Sequence, residues 1–112
     1  MRKAALAAVA LLLLGVPALA RDTQFWNLTA NTITSFQLAP AGTDKWGANQ
    51  TANDKDGSVD HDERLKIVGV QTGVYDVKFT DDKGRTCTVK KVSVKQGGIF
   101  NIEEKSLKGC QK

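Results

Sequence analysis

The chain has 112 residues, 41% of them hydrophobic, and a formal charge of +4. That length holds one domain and leaves no room for a large multidomain enzyme. A single histidine and two cysteines exclude a His- or Cys-rich transition-metal centre.

Residues 1–20 read as a secretory signal peptide. Arg2 and Lys3 form a basic start, Ala4–Val16 is apolar apart from Gly15, and Ala18-Leu19-Ala20 offers a small-x-small cleavage site. The apolar run is shorter than the ~20 residues a spanning helix needs. The expectation is therefore a chain cleaved before Arg21, periplasmic or secreted, with no membrane segment afterwards. The leader removes two bases and no acids, so the mature charge falls to +2. From Arg64 onward eleven bases face five acids. They are spread along expected strands and read as a solvated face, so nucleic acid is not an expected partner.

The mature residues, 21–112, predict a single all-β domain. It is a small antiparallel β-sandwich or barrel-like meander of six to seven strands. Thr23–Leu28 is rich in β-formers. In Thr32–Leu38 the period of two puts Thr32, Thr34, Phe36 and Leu38 on one face and leaves Ile33 out of step. Ala39–Glu63 is a long irregular segment, with Trp46-Gly47 as an anchor on the sheet. Arg64–Val70 places Leu65 and Ile67, and with them Gly69, on one face. Val74–Thr80 turns Tyr75, Val77 and Phe79 inward and Asp76, Lys78 and Thr80 outward. Asp81-Asp82-Lys83-Gly84 is a hairpin turn. Arg85–Val94 returns, with a bulge where Lys90-Lys91 breaks the alternation. Ile99–Ile102 closes the set, and Glu103–Lys112 reads as a polar tail fixed only at Cys110. Trp26, Phe36, Trp46, Tyr75 and Phe79 are expected in the core.

In an exported chain the pair Cys87 and Cys110 suggests a disulfide; the other reading is two thiols as soft metal ligands. The 24-residue loop so closed is worth roughly 3 kcal/mol by chain entropy.

The chemistry concentrates at Asn53–Glu63. Five carboxylates, Asp54, Asp56, Asp60, Asp62 and Glu63, face one base, Lys55, for a local charge of −4. With Gly57 at the sixth position of a calcium loop, Asp54 and Asp56 fall at the third and fifth. Ser58 supplies a carbonyl at the seventh, Asp60 stands at the ninth and Glu63 at the twelfth. Ala52, with no side-chain oxygen, stands at the first. Two readings are open: an oxygen-ligand site for a hard cation, Ca²⁺ or a trivalent lanthanide, or a solvated acidic tip. His61 reads as a bystander or as a pH-sensitive modulator of metal affinity. No nucleophile turn of the Gly-x-Ser-x-Gly kind surrounds Ser58, and Asp81 and Asp82 would point to opposite faces of a strand, so no enzyme is expected.

Asn31-Thr-x-Thr, Ala39-Pro-Ala-Gly42, Trp46-Gly-x-Asn49, Tyr75-Asp-Val-Lys and Asp81-x-x-Gly84 together resemble a group of small exported bacterial β-domain proteins, many without assigned activity. The likeness covers most of the mature chain. Many of those proteins carry a Pro-Gly turn before the third strand, where this chain has its acidic loop. That loop resembles the metal loops of lanmodulin, and a small exported protein bearing it is similar in kind to the landiscernin lanthanide chaperones. The resemblance implies lanthanide binding at Asp54, Asp56, Asp60 and Glu63 and a metal-linked homodimer.

Overall fold

A computed structural model describes residues 21–112. The expected leader lies outside them. Among the described residues the chain forms seven strands and two short 3₁₀ turns: β1 Thr23–Leu28, β2 Ile33–Pro40, β3 Arg64–Ile67, β4 Gly73–Asp81, β5 Thr86–Val94, β6 Ile99–Glu103 and β7 Gly109–Gln111. They make a sheet of order β3-β1-β6 and another of order β2-β4-β5-β7, a sandwich-like all-β arrangement. The antiparallel expectation holds for the larger sheet. The smaller one is mixed, because β6 runs parallel to β1, pairing Phe25 with Phe100. Parallel neighbours need a long crossover, and the intervening strands of both sheets supply it.

The core lies between the sheets. Phe25, Phe36 and Phe100 stack at its centre, with Phe25 and Phe36 ring centroids 4.3 Å apart. Ile33, Leu65, Ile67, Val77, Phe79, Val94 and Ile102 pack around them. Ile33 is fully buried together with Phe36, against the strict period of two. A register irregularity between Ile33 and Ser35 adds one residue to that stretch, so both side chains turn inward. Phe36 and Phe79 are core as expected, whereas Trp26, Trp46 and Tyr75 are only half-buried. Gly69 lies beyond β3, at φ 75°, in a turn.

The bulge at Lys90-Lys91 is present. Tyr75 pairs with Val92 and Val77 with Val89, and Lys91 takes φ 55°. The Asp81–Gly84 hairpin turn is present too, with Gly84 at φ 82° donating its N–H to the Asp81 carbonyl.

The C-terminal segment is more ordered than a polar tail. Glu104–Ser106 forms a 3₁₀ turn, and β7 pairs with β5 with Cys110 opposite Cys87. Those two residues form the disulfide.

Candidate functional site

The acidic loop leaves a scaffold that is itself pinned. Gly47 donates its N–H to the Leu38 carbonyl, and Lys78 lies 4.6 Å from the centre of the Trp46 ring. The Asn49 amide oxygen accepts from the Phe36 N–H and from the Thr51 N–H and hydroxyl. Thr51 also donates its hydroxyl to the Thr34 carbonyl, tying the 3₁₀ turn Gln50–Asn53 to β2. On its other side Gln50 exchanges two hydrogen bonds with the Val68 backbone, and Asn53 donates to the Lys66 carbonyl. The turn therefore spans the β2 edge of one sheet and the β3 edge of the other. The acidic residues start from that span.

The loop returns to the scaffold at Val59, which is buried and exchanges both backbone hydrogen bonds with Ile33. Asn27, fully buried, donates to the Val59 carbonyl from below. Between these anchors Gly57 sits at φ 71° and donates to the Asp54 carbonyl, a tight turn that suits glycine.

Each carboxylate has its own surroundings. The Asp54 side chain accepts from the Asp56 N–H at 2.8 Å. Asp60 accepts the Thr32 hydroxyl at 2.9 Å. Asp62, at φ 71°, accepts the Trp26 indole N–H at 3.0 Å. Glu63 accepts the Asp60 N–H at 2.8 Å. The Asp56 carboxylate has no hydrogen-bond partner among the described residues, and Ser58 is half-buried. No ion pair joins any of the five to a base among the described residues, Lys55 included; Arg64, the base that follows Glu63, lies over the Trp26 ring instead. Among the described residues no three acidic, His or Cys side chains converge as a metal cage. His61 points its Nδ1 at the Thr29 carbonyl, 2.7 Å away, so that nitrogen carries the proton.

A second set of carboxylates lies inside the fold, and the alternation of β4 predicted the first of them on the surface. Asp76 is buried rather than outward. Its oxygens accept the N–H of Gly42 at 3.0 Å and of Lys91 at 3.1 Å, and Lys90 Nζ lies 3.7 Å off. The two amide donors hold its carboxyl below the usual range. Asp81 is buried at the hairpin turn. Burial opposes its ionisation, but Asn31, the Arg85 guanidinium and the Arg85 and Lys83 amides outweigh it and bring the carboxyl down to about 2. Arg85 reaches on to Glu104 with two bonds, of 2.8 and 3.1 Å, and Glu104 accepts the Ala30 N–H. Arg85 and then that amide lower the Glu104 carboxyl. This chain of charges ties the β1–β2 connection, the β4–β5 hairpin and the C-terminal segment together.

Comparisons with protein-family models, curated proteins and solved structures return no match for this chain.

Proposed function

We propose that the protein is an exported, non-catalytic binding module whose acidic loop meets a cationic partner in the cell envelope. The observation behind this reading is the state of the loop. Its backbone is fixed at Asn53, at Val59 within it and at Glu63, whose carbonyl accepts the Asn27 N–H, while four of its five carboxylate residues are exposed and none is ion-paired among the described residues. A charge of −4 on a fixed frame steers cations to one place at little conformational cost on binding. The disulfide supports an oxidising compartment, the periplasm or the exterior. No described helix is long and apolar enough to cross a membrane.

A second reading makes the cation a hard metal ion, Ca²⁺ or a lanthanide, as the lanmodulin-like loop suggests. It is favoured by the spare oxygens. Asp54, Asp60, Asp62 and Glu63 each use one carboxylate oxygen in the bonds above, and Asp56 uses neither. The donors of one chain do not form a cage. A metal here takes a few carboxylates and completes its shell with water or with a second copy, as a metal-linked homodimer.

Trp26 beside Asp62 is a built-in antenna for the test. The mature protein is titrated with Tb³⁺ under Trp excitation, then with a basic peptide in competition. Saturating lanthanide emission, lost in Asp56→Ala/Glu63→Ala, supports the metal reading. Peptide binding without emission supports the first reading alone. Neither signal refutes both.

A further inference from the structure

The flank opposite the acidic loop carries a groove of about 780 Å³. Val89 and Lys90 of β5 form one wall, and Lys105, Ser106 and Lys108 of the C-terminal segment form the other. Gly109 lies at its end. A Cβ there would sit 2.8 Å from the Thr88 carbonyl, so only glycine lets β7 lie this close to β5.

The groove is basic. Three lysines line it and no carboxylate does. Lys90 and Lys105 each have one loose carboxylate neighbour, Asp76 and Glu103, both at 3.7 Å. Asp76 is already satisfied by two backbone amides. The Lys90 and Lys105 side chains are 70% and 82% exposed, so both ammonium groups are free to turn to another anion. Lys108 has no ion pair among the described residues.

Sheet order places the two charged features on opposite flanks. The acidic loop covers the β2 and β3 edges, to which Thr51 and Asn53 bind it. The groove lies along β7 at the other end of the larger sheet. One molecule cannot bring its own loop to its own groove, but two molecules can. The most concentrated run of acid in the chain matches a groove lined by three lysines.

We propose that the groove receives the acidic loop of a second copy of this chain. The protein then self-associates head to tail through a heterologous contact. This rests on the reading that the loop meets a cationic partner, and it names that partner. Head-to-tail contacts do not close unless the rotation happens to form a ring, so the product is a short open chain that grows with concentration. The contact is made of exposed charges. It is weak, and it fades as salt rises from about 0.01 M to about 0.15 M and the Debye length falls from roughly 30 to roughly 8 Å.

Sedimentation velocity of the mature protein at both salt concentrations is the test, with two variants. Lys90→Glu/Lys105→Glu/Lys108→Glu destroys the groove and keeps the loop. Asp56→Lys/Asp60→Lys destroys the loop and keeps the groove. All five residues are exposed, and circular dichroism checks their folding. The wild type is expected to associate at low salt, and each variant alone to associate at least roughly ten-fold more weakly. An equimolar mixture of the variants is expected to form a pair and stop there, because it contains one intact groove and one intact loop per pair. A wild type that stays monomeric at low salt overturns the proposal. So does a dimer indifferent to both variants, or a groove that binds an added polyglutamate but not the loop. A monomer that still binds Tb³⁺ or a basic peptide through its loop removes this inference and leaves the function proposed above intact.

Discussion

The acidic loop and strand β4 both carry carboxylates, and the fold treats them in opposite ways. In the loop five acidic side chains cluster in sequence, none is buried, and each makes at most one hydrogen bond to the rest of the protein among the described residues. In β4 two aspartates stand five residues apart, both are buried, and each accepts more than one donor. The difference teaches that density of charge is no guide to its structural weight. A buried carboxylate with several donors is fixed by them, and deleting it strands every donor. An exposed one exchanges water for a single bond and gives up little when removed.

The largest test of this contrast is Asp81→Ala. It leaves the Arg85 Nε–H, the Asn31 amide and two backbone N–H groups without their acceptor, while Arg85 keeps its two bonds to Glu104. Breaking a buried pair from one side costs roughly 3–5 kcal/mol. For a domain of this size that lowers the melting temperature by more than about 10 °C. A calorimetric change near zero would mean that Asp81 is bystander rather than keystone.

Acid should remove the same interaction more gently. Asp81 ionises at about 2 in the folded protein against 3.8 for the free group, so its contribution is fully present above about pH 4. It is lost as the pH falls through about 2. The Glu104 and Asp76 carboxyls are shifted in the same direction and add to the loss. The shift at Asp81 alone corresponds to roughly 2 kcal/mol. Urea unfolding midpoints between pH 5 and 2 should decline along that limb. The decline should shrink in Asp81→Asn, and an unchanged limb in that variant would assign the acid sensitivity elsewhere.

The same contrast explains what the sequence could and could not disclose. Phe36, Leu65, Ile67, Val77 and Phe79 were legible because burial on one face of a strand imposes a period of two. The Lys90-Lys91 bulge was legible because it interrupts that period. Ile33 was not, because the irregularity at its strand end shifts the face by one residue. Asp76 followed the polar half of the alternation and still turned inward. The bulge opposite it leaves the Lys91 N–H without a strand partner, and the Asp76 carboxylate takes that bond. Such an exchange depends on two strands meeting, so it leaves no mark on either alone. The tail was misread for a related reason. Gly109–Gln111 has no apolar pattern, and its strand exists because Cys110 is joined to Cys87. The acidic loop was visible from composition, but the separate partners Thr32 and Trp26 that spread its carboxylates apart come from distant positions in the chain.

Asp76→Asn sharpens the comparison at smaller amplitude. The amide keeps one acceptor oxygen where the carboxylate had two, so either the Gly42 or the Lys91 N–H loses its partner. Stability should fall by less than in Asp81→Ala, because one donor rather than four loses its acceptor. Amide hydrogen exchange should locate the loss at Gly42 and Lys91. Protection unchanged at both would show that the bulge stands without its carboxylate.

The smallest effect should come from the loop. Asp56→Asn removes a charge with no hydrogen-bonded partner among the described residues. Asp60→Asn retains an oxygen to accept from Thr32. The double variant should change stability by no more than about 0.5 kcal/mol at neutral pH, as exposed charges usually do. Its sign is informative. Five carboxylates against Lys55 leave a net charge of −4 on the wild-type loop, so neutralising two should stabilise slightly at low salt. The gain should vanish as salt screens the repulsion. A loss above about 1 kcal/mol, indifferent to salt, would make the loop part of the frame, and the contrast with β4 would collapse. A stabilisation that disappears when millimolar Ca²⁺ is added to the wild type would instead show that a cation relieves the same repulsion, which is what a loop adapted to a cationic ligand requires.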